Sequence, residues 1–170
     1  MEKIVVIGSP GAGKSTLAKQ IYRKLKIKVY HLDRIFWKRG WKPIDKESRI
    51  DILQKLVQEK QWIIEGYYLR SSEPRLDAAD TIVFLDPPIL ACLLRIIKRH
   101  FMYDSYPRRD IPEGCIDRLT VRRMLKLFIF PLLGRKKLTQ MLRGYNSKQI
   151  IRLRSKKDIE DFFVELNRAA

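Results

Sequence analysis

Cysteine and histidine are scarce in this 170-residue chain, with two of each. Cys92 and Cys115 form no Cys-x-x-Cys pair and have no histidine at ligand spacing. That excludes a disulfide framework and a zinc site of ordinary spacing, and it favours a reducing compartment. Long apolar runs are also missing: none approaches the roughly 20 residues that a membrane-spanning helix needs. No secretory pattern is visible. Met1-Glu2-Lys3-Ile4 leads straight into a strand-like run without a cleavage site, so a cytoplasmic location and no membrane partner are expected. Acidic side chains are few, 19 against 36 Lys+Arg, for a formal net charge of +17. A partner bearing negative charge is expected.

What is present suffices for a real core. Hydrophobic residues make up 45% and charged residues 32% of the chain, which excludes a disordered tail and fits a single domain spanning 1–170. The charge is uneven. Residues 95–156 hold 17 basic and 4 acidic side chains, net +13, whereas residues 157–170 are net −2. Arg95, Lys98, Arg99, Arg108, Arg109, Arg118, Arg122 and Arg123 lie in the basic stretch. It reads as a surface that meets phosphates, of a nucleotide or of a nucleic acid.

Strand and helix patterns alternate along the chain. Lys3–Ile7 is a continuous β-branched run, the pattern of a strand buried on both faces. Leu17, Ala18, Ile21, Tyr22 and Leu25 then fall at helical spacing from Lys14. Ile27–Leu32, Trp62–Ile64, Thr81–Leu85 and Gln149–Leu153 are further strands; helices are expected from Asp45 to about Glu59 and from Ile89 to His100. Residues 101–116, with two prolines, a glycine and no period, form a lid-like loop. Helix is expected over about 117–145 with a break at Pro131 or Gly134, and Ser155-Lys-Lys-Asp158 reads as a capping box before a last helix. The whole is a three-layer α/β domain with a mainly parallel sheet.

The most informative segment is Gly8-Ser9-Pro10-Gly11-Ala12-Gly13-Lys14-Ser15-Thr16, a full match to the G-x-x-x-x-G-K-[ST] phosphate loop. Its glycines let backbone N–H groups turn inward around phosphate oxygens. Lys14 is placed to reach the outer phosphates and the Ser15 hydroxyl to ligate Mg²⁺. The following helix points its N-terminus at the same anion. Residue frequencies make a chance match in a chain of this length a matter of roughly one in a hundred or fewer. No Asn-Lys-x-Asp guanine signature accompanies it, so a small kinase fits better than a GTPase, and the length fits better than a motor ATPase.

Four places in order carry a family resemblance: Gly8–Thr16; His31-Leu-Asp33-Arg-Ile-Phe-Trp37 with Gly40-Trp41; Trp62-Ile-Ile-Glu65-Gly66-Tyr-Tyr with Arg70; and Leu94-Arg95-Ile-Ile-Lys-Arg99. Pro112-Glu-Gly-Cys115 adds to them. The chain resembles the adenylate-kinase-like P-loop kinases and, within them, the bacterial topology modulation proteins. The resemblance implies the P-loop NTPase fold with five parallel strands in the order 2-3-1-4-5, a small helical or loop lid, and ATP with Mg²⁺.

Asp33, just after the second strand, lies at the carboxyl edge where open α/β sheets bind ligands, and is read as accepting or orienting the proton of an acceptor hydroxyl; the alternative is a helix cap. Arg34 is read as an acceptor-binding cation or a surface charge, Arg70 as an acceptor-binding cation, and Phe36, Trp37 and Trp41 as an apolar wall or as core. Glu65 stands where the family usually has Asp before Gly and is read as holding Mg²⁺ through water, with Ser15, or as helping to orient the acceptor. Asp86 is a rival for the metal or the start of the turn at Pro87-Pro88. Arg95 and Arg99 share one helix face and are read, with Lys14, as stabilising charge on the transferred phosphoryl group. His31 and His100 receive no role. The expected activity is ATP- and Mg²⁺-dependent phosphoryl transfer to a nucleoside, nucleotide or similar hydroxy compound. The alternative is a P-loop protein that binds nucleic acid through residues 95–156 and modulates DNA topology.

Overall fold

The β-branched run at the start forms a strand, β1 (Lys3–Gly8), whose side chains are buried to both sides. Ile4 and Val6 face one apolar cluster while Val5 and Ile7 face another, as the two-residue repeat of a strand requires. The computed structural model describes residues 1–102 and 134–169, with side chains to Lys98 and from Gly134 to Arg168. After β1 come α1 (Lys14–Leu25), β2 (Val29–His31), α2 (Leu32–Phe36), the two-residue strands β3 (Trp37–Lys38) and β4 (Lys42–Pro43), and α3 (Lys46–Leu56). β5 (Trp62–Glu65), α4 (Glu73–Ala78), β6 (Thr81–Leu85) and α5 (Ile89–Met102) follow. Beyond the undescribed segment lie α6 (Arg135–Leu142), β7 (Gln149–Leu153) and α7 (Lys156–Ala169).

Five strands make one parallel sheet in the order β2-β5-β1-β6-β7. The labels depart from the expected 2-3-1-4-5 because an antiparallel hairpin, β3 with β4, intervenes in the chain and forms its own small sheet. Leu17, Ala18 and Ile21 of α1 and Phe162 and Leu166 of α7 cover one face of the main sheet. Leu53 of α3, Leu76 of α4 and Leu138 and Leu142 of α6 cover the other. Three layers result, and each fully buried aliphatic side chain contributes about 1.5–3 kcal/mol relative to exposure.

Several boundaries move for identifiable reasons. The second strand ends at His31, earlier than the pattern suggests, because Leu32 and Phe36, one turn apart and both fully buried, wind α2 instead. The Asp45 helix forms with its expected cap, the Asp45 carboxylate accepting from Ser48 N at 2.7 Å, but ends at Leu56. The capping box before α7 closes both ways: Asp158 N donates to Ser155 Oγ (3.1 Å) and Ser155 N to the Asp158 carboxylate (3.2 Å). Residues 103–116 of the expected lid, Pro131 and the arginines from Arg108 to Arg123 lie outside the described residues.

Candidate active site

The phosphate loop joins the carboxyl end of β1 to α1. A Cβ on Gly8 would sit 2.3 Å from the Leu85 carbonyl oxygen of neighbouring β6, so only glycine lets the chain leave the sheet there. Gly13 precedes α1 in the left-handed region (φ 103°), and no acidic residue occupies the first turn. The positive end of the helix is thereby left to an external anion. Lys14 Nζ donates to the Ser9 carbonyl at 3.0 Å, curling back over the loop.

Strand register brings the next residues to the same edge. Glu65 ends β5, opposite Val6 of β1 on one side and His31 of β2 on the other. Its carboxylate is buried, and Oε1 takes the Ser15 hydroxyl (3.0 Å) and faces His31 Nδ1 (2.8 Å). Sequence reasoning paired Ser15 with Glu65 and missed His31. The pairing is non-local, set by β2–β5 register, and leaves no mark in the order of residues. Among the described residues no group of three or more His, Cys, Asp or Glu is placed to hold a metal ion. Ser15 and Glu65 nonetheless offer the hydroxyl and carboxylate oxygens that suit Mg²⁺ shared with substrate phosphates.

Asp33 lies in α2, two residues past β2. Its Oδ1 accepts the Tyr68 hydroxyl at 2.6 Å, and the Tyr68 oxygen accepts the Trp37 indole N–H at 2.5 Å. Burial, then the neighbouring Asp33 charge, pushes the Tyr68 phenol well above its ordinary range. Phe36 is core, packed edge-on to Tyr68 with centroids 4.9 Å apart. Trp37 and Trp41 meet edge-to-face across the hairpin at 5.6 Å. Arg34 is exposed beside Asp33.

The arginines divide into distinct groups. Arg95, on α5, donates to the Ala12 carbonyl at 3.0 Å, which puts its guanidinium against the phosphate loop. Arg99 is one turn further along α5, and its side chain lies outside the described residues. Arg70 is exposed and lines a groove with Ile50, Gln54, Glu73 and Asp77. Arg135 and Arg152 both bind the buried Asp86 carboxylate, Arg135 at 2.8 Å, beside Ser9. Asp86 therefore serves as a bridge between α6 and β7 in this structure. Arg75 escaped the sequence reading. It is fully buried on α4, with one donor on the Tyr67 carbonyl (2.9 Å) and Nε and a terminal nitrogen unpartnered. Burial brings its guanidinium down to about 10, against the upward pull of the Glu65 carboxylate, so it remains cationic at neutral pH.

No family model matches the chain. A cytidylate kinase of Sulfurisphaera tokodaii is 31% identical, the match covering 68% of this chain and 69% of that protein. A shikimate kinase from Acinetobacter baumannii, solved in complex with shikimate, superposes with a TM-score of 0.60 at 16% identity, covering 99% of this chain and 92% of that one. A shikimate kinase from Bacteroides thetaiotaomicron gives 0.58 at 19% identity, with 98% and 96% covered. A deoxyadenosine kinase from M. mycoides gives 0.52 at 16% identity, with 98% and 100% covered. The solved structures share the fold. With the sequence match added, the chain belongs to the family of P-loop kinases that includes the Sulfurisphaera cytidylate kinase.

Proposed function

We propose that this protein transfers the terminal phosphoryl group of Mg²⁺-ATP to a small hydroxylic acceptor, and that a nucleoside such as cytidine, whose 5′-hydroxyl carries a proton for a base to take, is the first acceptor to test. The observation that carries this is the arrangement of one sheet edge. The phosphate loop follows β1, Glu65 ends β5, and Asp33 follows β2, on three adjacent parallel strands. Strands β1 and β2 are two spacings apart, roughly 10 Å, which leaves a gap the width of a small molecule between donor and acceptor groups. The name of the Sulfurisphaera relative supports cytidine as the moiety to try first.

In this reading Gly8–Thr16 bind the triphosphate through backbone N–H groups and Lys14. Ser15 and Glu65 would hold Mg²⁺, which when bound neutralises phosphate charge. Asp33 takes the proton of the acceptor hydroxyl as its oxygen bonds to the γ-phosphorus. The bond from that phosphorus to the bridging oxygen breaks, and ADP leaves with that oxygen. Arg95 and Arg99 compensate charge on the phosphoryl group in flight. Arg34 and Arg70 serve the acceptor side. Asp33→Asn tests the reading: cytidine phosphorylation should fall about 10²-fold or more with ATP affinity kept. Equal loss of ATP affinity would defeat it.

A second reading rests on the net +13 of residues 95–156. There the same fold binds nucleic acid, in line with the resemblance to topology modulation proteins. Its signature is duplex affinity that falls steeply with salt.

A further inference from the structure

We propose that Tyr68 is a positioning residue for Asp33, and that the chain Trp37–Tyr68–Asp33 ties the proton acceptor to the seating of the hairpin. The proposal rests on the reading of Asp33 as the acceptor-side base.

The argument is one of hydrogen-bond polarity. An indole N–H only donates. At 2.5 Å from Trp37 Nε1, the Tyr68 oxygen must therefore accept. A phenol has a single proton, and the one direction left for it is Asp33 Oδ1 at 2.6 Å. Burial and the Asp33 charge keep that proton on the phenol. The two donors thus leave Asp33 Oδ1 the role of an acceptor. A protonated Asp33 donating to Tyr68 would set two donors against one oxygen and orphan the phenol proton. With Oδ1 engaged, Oδ2 is the oxygen that receives the proton of the substrate hydroxyl.

The chain is held at each joint. The Tyr68 ring meets Phe36 edge-on, and the Arg49 guanidinium lies 5.8 Å from its centroid. Trp37 is the first residue of the hairpin and packs against Trp41, which adopts a left-handed backbone conformation (φ 58°) rare for tryptophan. Lifting the hairpin withdraws the indole donor, frees the phenol to rotate its hydroxyl, and loosens Asp33. Tyr68 touches no reacting atom in this scheme; it acts through Asp33.

The test combines turnover of cytidine with Mg²⁺-ATP and a measurement on the free protein. Tyr68→Phe should lower kcat about 10- to 100-fold with KM for ATP unchanged, and Trp37→Phe should lower it less. Because Tyr68 acts through Asp33, the pair Asp33→Asn/Tyr68→Phe should be no slower than Asp33→Asn alone. In the free protein, the Trp37 indole N–H resonance, identified by its loss in Trp37→Phe, should shift in both Tyr68→Phe and Asp33→Asn. If Asp33→Asn keeps full turnover, the base reading itself falls. If Asp33→Asn is impaired but Tyr68→Phe is not, or the two losses multiply, the positioning role alone is overturned. A Trp37 resonance identical in wild type and Tyr68→Phe overturns the chain even if cytidine is not the acceptor. Should Tyr68→Phe fail to fold, an unchanged kcat in Trp37→Phe overturns it.

Discussion

His31 Nδ1 and the Ser15 hydroxyl share one oxygen, Glu65 Oε1, at 2.8 and 3.0 Å. For the imidazole to donate there, its proton sits on Nδ1. The carboxylate is thus oriented from β2 on one side and from α1 on the other. His31→Ala is expected to raise the Mg²⁺ concentration for half-maximal activity about 10-fold, as removal of a group that orients a metal ligand does. His31→Asn, which keeps a donor at the same reach, should restore most of the loss. Titration of activity against Mg²⁺ for both variants checks this.

In the proposed reading Lys14 reaches the outer phosphates of the nucleotide. Lys14→Ala should weaken ATP binding by roughly 10- to 100-fold, the range for losing a charged hydrogen-bond donor. Calorimetric titration with ATP reads this directly. Unchanged affinity would contradict the role of the loop.

Arg95 is expected to behave differently. It is exposed and rests on the Ala12 carbonyl of the phosphate loop, and in the proposed reading it meets the phosphoryl group only as that group is transferred. Arg95→Ala should lower kcat about 10²-fold and change ATP affinity little. Steady-state kinetics beside equilibrium binding separates the two effects.

Asp80 holds the start of β1. It accepts from Glu2 N (2.7 Å), Lys3 N (2.8 Å) and the Thr81 hydroxyl (2.7 Å). Partial burial raises its pKa, but the hydrogen bonds from Thr81, Lys3 and Glu2 win and hold it below the ordinary carboxylate value. A depressed folded pKa means stability that is fully present above the unfolded value near 4 and lost as pH falls through the folded one. Asp80→Ala should therefore cost about 1 kcal/mol at pH 7, discounted for exposure, with the difference from wild type shrinking below about pH 4. Urea unfolding at a series of pH values checks both size and sign.

Much of the layout was legible because it is local. The run at Ile4–Ile7, the phosphate loop and the helical spacing from Leu17 to Leu25 each declare themselves within a dozen residues. α2 did not, since five residues holding Leu32 and Phe36 show too little of a period to distinguish a helix from the tail of a strand. The hairpin escaped because its strands are two residues each, too short to show an alternation, even though Gly40 (φ 73°) marks its turn. Arg75 and His31 escaped for another reason. Their settings depend on which strands pair and on how α4 packs, and a buried arginine looks in sequence like any surface one.

The closeness of Gly8 to Leu85 also bears on how a nucleotide is received. With no room for a methyl group between the loop and β6, the first turn of the cradle is held by the sheet from the moment of folding. The incoming anion then has little chain to immobilise, so association should proceed in one fast kinetic phase, without a slow rearrangement after encounter. Inorganic triphosphate is then expected to bind at the loop much as the triphosphate of a nucleotide does, leaving discrimination among bases to other parts of the molecule.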